Sequence, residues 1–354
     1  MEYVVALRTA QNDVKAVINL EKNRKERVAP FMHARGKDDK QITTFLNNWG
    51  NFPYLLDVSR FAPDIDDKFI TEGNLLSHFN AYSAKQNFFA WAKSINDALI
   101  PVVSWAAGDS TREIVQCAVA LEQTYSEIAI QVDLNSATSE INKISNILDA
   151  VKDPLKILIL LNIAQKTPPD LAPTAPLSQL ITQLRSYGIT KYVLLSTSFP
   201  EDKPPSGTSR VVDCTDISWQ KTYQAMMKDI EFIYGDYGAT NPTSALEYIQ
   251  GMPVIPFANY LIKNEWTQIR EGKDKEFSIY QKIAIGIQNL PGYHGDGFCW
   301  ATKEIGRIAK AIDGKNGNNG TWNGFKINQH ICEILNHLGN FSVSSTPSYD
   351  DDEL

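Results

Sequence analysis

Phe232-Ile-Tyr-Gly-Asp-Tyr-Gly-Ala-Thr-Asn-Pro242 runs from an apolar, aromatic segment into a glycine, an acid and a Gly/Asn/Pro loop. A short apolar run bounded by turn residues predicts a strand covered on both faces. Parallel α/β folds place chemistry at the C-terminal ends of such strands, which makes Asp236 a candidate site acid as well as a loop cap. The same arrangement recurs upstream. Tyr3–Arg8, Val28–His33, Pro53–Val58, Ile100–Trp105, Glu127–Asp133, Leu155–Asn162 and Lys191–Ser198 read as β-runs and, with Glu231–Asp236, make eight. Helical segments separate them at a repeat of roughly thirty residues, the length of a β/α unit. The count predicts an α/β protein with a closed parallel (β/α)8 barrel of the TIM type. An open doubly wound sheet is the alternative, but no GxGxxG follows any strand to support a dinucleotide fold.

The barrel is expected over residues 1–251, with Val211–Asp213 as a short extra strand and an insertion of undefined shape over Phe61–Leu76. From Pro253 the rhythm changes. Pro253–Lys263 and Thr267–Arg270 predict a β-hairpin, and Phe277–Gln288, Ala301–Ile312 and Gly324–Leu338 predict three helices. Residues 252–341 are therefore expected to pack on the barrel as an appendage, because their apolar faces would otherwise stand in water. The polar, acidic segment 342–354, with Asp350-Asp-Asp-Glu353, is expected to be disordered.

A chain of 354 residues, 43% hydrophobic and 21% charged, can bury a large core. Its net charge of −7 provides no general basic field and argues against nucleic acid as a partner. No basic n-region precedes a long apolar segment near the start, and no run approaches membrane-spanning length, so the expectation is a cytoplasmic protein with no membrane partner. The cysteines Cys117, Cys214, Cys299 and Cys332 make no CxxC pair and are expected to be reduced and mostly buried.

Strand ends of a barrel converge on one mouth. That rule gathers Arg8, His33, Arg35, Asp57, Arg60, Asp109, Asp133, Asn162, Ser196, Ser198, Asp236 and Tyr237 into a polar cavity. Asp57, Asp133 and Asp236 are the candidate acid–base groups, and Arg8, His33, Arg35, Arg60, Asn162, Tyr237 and Arg270 the candidate ligand-binding groups. Carboxylates crowded together repel unless one is protonated, a metal intervenes or arginines neutralise them. The arginines make the third arrangement the expected one. A purely structural Arg/Asp network tying strand ends together is the competing reading. No HxH, HExxH or Cys/His spacing supports a metal, and His330 and His337 lie two helical turns apart, too far to share an ion. Gly314-Lys-Asn-Gly-Asn-Asn-Gly320 lacks the ending of a P-loop, and no cofactor is expected.

Several short pieces, in order along nearly the whole chain, resemble the bacteriophage beta protein family. They are Tyr3–Arg8, Ala29-Pro-Phe31, Leu55-Leu-Asp57, Pro101-Val-Val103, Gly235-Asp-Tyr237 with Pro242, Trp266 with Arg270, Tyr280, Phe298-Cys-Trp300, and Gly320-Thr-Trp322 before Asn328 and His330. The resemblance implies a place in phages, satellite elements or bacterial genomic islands, linked with anti-phage defence or toxin control; it carries no biochemical activity. Strand two departs from the family pattern, ending in Met32-His33 where a glutamate is expected. The functional expectation is a barrel protein whose Arg/Asp mouth binds a partner protein from the same locus or a small anionic ligand. The alternative is a hydrolase or lyase acting on a phosphate-containing small molecule or nucleotide.

Overall fold

The computed structural model describes residues 1–164, 167–213, 216–242 and 252–339, so the predicted acidic tail lies outside the described residues. Its strands are β1 (Tyr3–Arg8), β2 (Val28–Ala34), β3 (Tyr54–Val58), β4 (Leu99–Val103), β5 (Ile128–Asp133), β6 (Ile157–Asn162), β7 (Lys191–Ser196), β8 (Thr208–Asp213), β9 (Glu231–Asp236), β10 (Phe257–Ile262) and β11 (Glu265–Arg270). Strands β1 to β7 pair in sequence order, and β9 closes the parallel barrel between β7 and β1. The closing seam has three register pairs, Tyr3↔Tyr234, Val4↔Gly235 and Val5↔Asp236.

Each barrel strand is apolar on both faces because both are covered, and the period of two sorts its residues into two cores. Val4, Ala6, Ala29, Phe31, Leu55, Ile100, Val102, Ala129, Leu158, Leu160, Val193, Leu195 and Ile233 fill the barrel interior. Their neighbours in sequence, such as Tyr3, Val5, Tyr54, Leu56, Leu194 and Tyr234, pack outward in the larger core that includes the surrounding helices. Gly235 occupies an inward position that cannot hold a side chain: a Cβ there would lie 2.6 Å from Val193 Cγ1 and 2.9 Å from Leu194 O.

The predicted hairpin is present as antiparallel β10 and β11, but β8 pairs with β11 as a third strand. The small sheet thus takes in the short extra strand expected at Val211–Asp213, which lies before residue 251 in the chain. Three helices follow, Tyr280–Gln288, Trp300–Ala309 and Asn319–Gly339. Three consecutive residues of the last one face three different partners. Asn328 donates to Ala16 O at 2.8 Å on the first barrel helix and accepts from Ala301 N at 3.1 Å. Gln329 accepts from Leu261 N at 3.0 Å and donates to Leu261 O at 2.7 Å on β10. His330 Nε2 lies 2.7 Å from Asp236 Oδ2 at the end of β9. Buried amides satisfied at both ends hold one arrangement, since leaving either end unpaired costs about 1–3 kcal/mol. Among the described residues no helix is long and apolar enough to cross a membrane.

Candidate functional site

Alternation decides which strand-end residues reach the mouth. Continuing the inward sets gives His33 on β2, Asp57 on β3, Ser104 after β4, Gln131 and Asp133 on β5, and Asn162 on β6. All six line one cavity of about 310 Å³, together with Arg60, Phe61, Trp105, Ser136 and Glu140. Its position follows from the hydrogen-bond ladder. Strands β4 and β5 pair only at Val102↔Ala129 and Val103↔Ile130, so above that point their ends part. Val132, an outward-facing core residue, also lines the cavity, which therefore extends into the gap between the two strands.

The mouth is more elaborately compensated than an Arg/Asp mixture. Asp57 is buried and pairs with Lys85, not with an arginine; Lys85 Nζ donates at 2.5 Å to Oδ1 and at 3.2 Å to Ser104 Oγ. Burial pushes the Lys85 ammonium below its usual range, with Asp57 opposing it. Lys85 lies on the helix Phe79–Ile95, whose opening residues Asn80, Ala81 and Tyr82 have φ of 51°, 56° and 59°. Three successive non-glycine residues in the left-handed region cost about 1–2 kcal/mol each, and such strain persists only where surrounding contacts fix it. Here Ala81 N donates to Glu113 at 2.5 Å and Tyr82 OH to Asp109 at 2.7 Å. Arg60 donates to Ser104 Oγ at 3.1 Å and lies 3.7 Å from Asp109, so a chain of charges crosses from β3 to β4.

Arg8 and Arg35 stand at their predicted strand ends but are occupied by a residue the sequence reading did not single out. Asp64, fully buried in the loop after β3, accepts from Arg8 Nε at 2.8 Å and from Arg35 Nη1 at 2.7 Å, while Arg35 Nε reaches Asp67 at 3.0 Å. Ser59 Oγ is a third partner of Asp64, donating at 2.7 Å. This loop carries Phe61 against the His33 ring, with centroids 5.2 Å apart. Neither arginine lines the cavity.

His33 is buried beneath Phe61 and above Phe31, and burial, which outweighs the pull of Asp57 and Asp64, lowers its pKa to about 4. It is therefore a neutral imidazole at pH 7 and makes no hydrogen bond among the described residues. Asp133 is exposed on the cavity wall, and among the described residues its carboxylate accepts only from Asn135 N, at 2.9 Å. Glu140 is held by Trp105 Nε1 and Lys143 Nζ, both at 2.8 Å. Tyr237 OH donates to Asn162 Oδ1 at the top of the barrel interior.

Two expectations are corrected. Asp236 does not face the mouth: Ile233 and Tyr237 point inward, so Asp236 points outward, where Tyr3 OH at 2.5 Å, Tyr234 OH at 3.1 Å and His330 meet it. Among the described residues no arginine is one of its partners. Arg270 ends β11 in the small sheet, donates to Pro204 O at 3.1 Å and contributes nothing to the cavity. Of the residues missed, Lys85 had a readable signal. It lies on the stripe Tyr82, Phe89 and Ala92 at the spacing of one helical face, a lysine where the pattern calls for an apolar residue. Asp64 had none, lying in an insertion without periodicity. Among the described residues, no group of three His, Cys, Asp or Glu side chains is arranged to hold a metal ion.

A family model described as Beta protein matches residues 3–336. No curated protein matches the chain.

Proposed function

The chain belongs to the Beta protein family, and from that premise we propose that it binds a small polar molecule in the barrel mouth and acts on it by proton transfer. The observation that carries this reading is the neutral His33 beside the Asp57–Lys85 ion pair on the wall of an open cavity. A neutral imidazole offers one N–H and one lone pair, the two capacities of a general acid–base group. Asp57 next to it would stabilise an imidazolium for as long as it lasts. Lys85 holds the Asp57 carboxylate in an ion pair, and among the described residues Arg60 is the only arginine on the cavity wall.

Charge selects the ligand. Asp57 is offset by Lys85, Asp109 faces Arg60, and Glu140 is offset by Lys143, which leaves Asp133 without a cation among the described residues. A slightly acidic wall of amides, hydroxyls and two aromatic rings suits a molecule rich in hydroxyl or amine donors. An anionic group fits only where it reaches Arg60. The setting implied by the family resemblance, a cytoplasmic component of a phage or anti-phage defence locus, belongs to the same proposal.

The test is calorimetric titration of the full-length protein with sugars, nucleosides, polyamines and inorganic phosphate. A member of the first three groups should bind, and Asp133→Asn should weaken that binding at least several-fold. Binding of phosphate alone, unaffected at Asp133, would overturn the ligand assignment. A second reading, a protein partner, is favoured by Phe79, which is 71% exposed, and Ile65, 41% exposed, both between β3 and β4. Replacing them with serine should leave small-molecule binding intact and abolish association if that surface is used.

A further inference from the structure

Two cysteines far apart in sequence meet in the C-terminal helices. Cys299 is the N-cap of the helix Trp300–Ala309: its backbone N–H donates to Thr302 Oγ1 at 2.9 Å, and the Thr302 backbone N–H is directed at its sulfur. The start of this helix is fixed by the bond from Ala301 N to Asn328 Oδ1. Cys332 lies one turn beyond Asn328 on the helix Asn319–Gly339, hence on the same face, so the bond from Ala301 to Asn328 brings its side chain to the start of the helix that Cys299 caps. Arg24, from the barrel's first β/α connection, completes the cluster. Its Nη1 is 2.9 Å from Cys332 Sγ, its Nη2 donates to Phe298 O at 2.5 Å, and its guanidinium lies 4.8 Å over the Phe298 ring.

We propose that Cys299 and Cys332 are a peroxide-sensitive dithiol, with Cys299 the attacking sulfur and Cys332 the resolving one. The asymmetry comes from the surroundings. Burial alone would raise the Cys299 thiol, but hydrogen bonds from Cys332 and Thr302 and the charge of Arg24 bring it down to about 7. Burial and the bond to Cys299 push Cys332 well up. A lowered thiol capping a helix N-terminus, with a second thiol close by and an arginine on that second sulfur, is the environment of a reactive pair and not of inert core cysteines. Cys299 is 4% exposed, which restricts the oxidant to a small molecule such as hydrogen peroxide. The Cys299 thiolate attacks one peroxide oxygen and the O–O bond breaks, leaving Cys299 sulfenic acid and, after protonation, water. The Cys332 sulfur then attacks the Cys299 sulfur and expels hydroxide, which takes the Cys332 proton. Two thiols and one peroxide become one disulfide and two waters.

The experiment treats the full-length protein with hydrogen peroxide, blocks free thiols and maps peptides by mass spectrometry without reduction. A linked pair of peptides containing Cys299 and Cys332 is expected. Cys117 is the internal control, a buried thiol pushed up to about 11. In Cys332→Ser, oxidation should stop at the sulfenic acid, and dimedone should label Cys299 on the order of tenfold or more faster than Cys117. Absence of the linked peptides in the wild-type protein at peroxide concentrations that oxidise its methionines would overturn the proposal. Equal labelling of Cys117 and Cys299 would do so as well.

Discussion

His33→Asn removes a mouth residue that burial holds neutral, and the structure fixes the pH at which the loss shows. The ring is 5% exposed. Its pKa falls from 6.5 to about 4, chiefly by burial and further by Arg8 and Lys85, against Asp57 and Asp64. A histidine depressed in the folded state contributes stability above the unfolded pKa, and that contribution is lost as pH falls from 6.5 toward 4. A shift of about 2.5 units corresponds to about 3 kcal/mol at its limit, and to about 2.5 kcal/mol between pH 7.5 and pH 4.5. The wild-type protein alone would not display it. Asp13 is raised by burial to about 6, so its contribution is present at low pH and lost as pH rises through 6, in the opposite sense over the same window. The difference between wild type and His33→Asn cancels Asp13 and isolates the histidine. Urea midpoints read by tryptophan fluorescence at both pH values give that difference. It should move by about 2.5 kcal/mol in favour of the variant on acidification. A difference that stays constant with pH would refute the claim that His33 is held neutral, and with it the proton-transfer reading.

The other stability predictions are read in the same assay, and affinities by calorimetric titration. Lys85→Met strands the buried Asp57 carboxylate and should cost about 3–5 kcal/mol, whereas the double variant Lys85→Met with Asp57→Leu should recover most of it; additive losses would show that the pair is not a pair. Ala81→Gly relieves a left-handed alanine at φ 56° and should be neutral or stabilise by about 1 kcal/mol, where an ordinary helix interior would lose a similar amount. Asp236→Asn should lower stability by about 1–3 kcal/mol through Tyr3, Tyr234 and His330 while leaving affinity for any mouth ligand unchanged. Lost affinity would return Asp236 to the site.

The barrel was legible because its evidence is repeated: eight apolar β-runs, each closed by turn residues and separated by helix-length segments, leave few other architectures. Which residues face the mouth was not legible, for a reason built into the fold. Phe232-Ile-Tyr-Gly-Asp is apolar at both parities because helices cover the outside and side chains fill the inside, so the alternation that would orient Asp236 is absent. On β3 the same ambiguity did no harm, since Leu55 and Asp57 happen to face inward. Partners were hidden for a different reason. Asp57 and Lys85, Asp64 and Arg8, Asp236 and His330, and Cys299 and Cys332 are joined by the topology alone, and nothing local in any of these pairs names its counterpart.

The placement of these pairs separates two tasks within the chain. The cavity is built from the ends of β2 to β6 and the segments that follow them, and no residue between 252 and 339 lines it. The C-terminal helix instead meets the barrel at β9, beside the seam closed by three register pairs, where His330 and Tyr3 grip Asp236 from either side. A parallel barrel has no free edge only while its last strand stays paired with its first. The bond from Tyr3 crosses that junction directly, and the bond from His330 fixes the same carboxylate to a helix that Asn328 also ties to the first barrel helix. Changes along Asn328-Gln329-His330 should therefore loosen β1 and β9 first. Amide exchange should rise there before it rises in β3 to β6, and equal exchange around the whole barrel in His330→Ala would show that the helix stabilises the protein without guarding the seam.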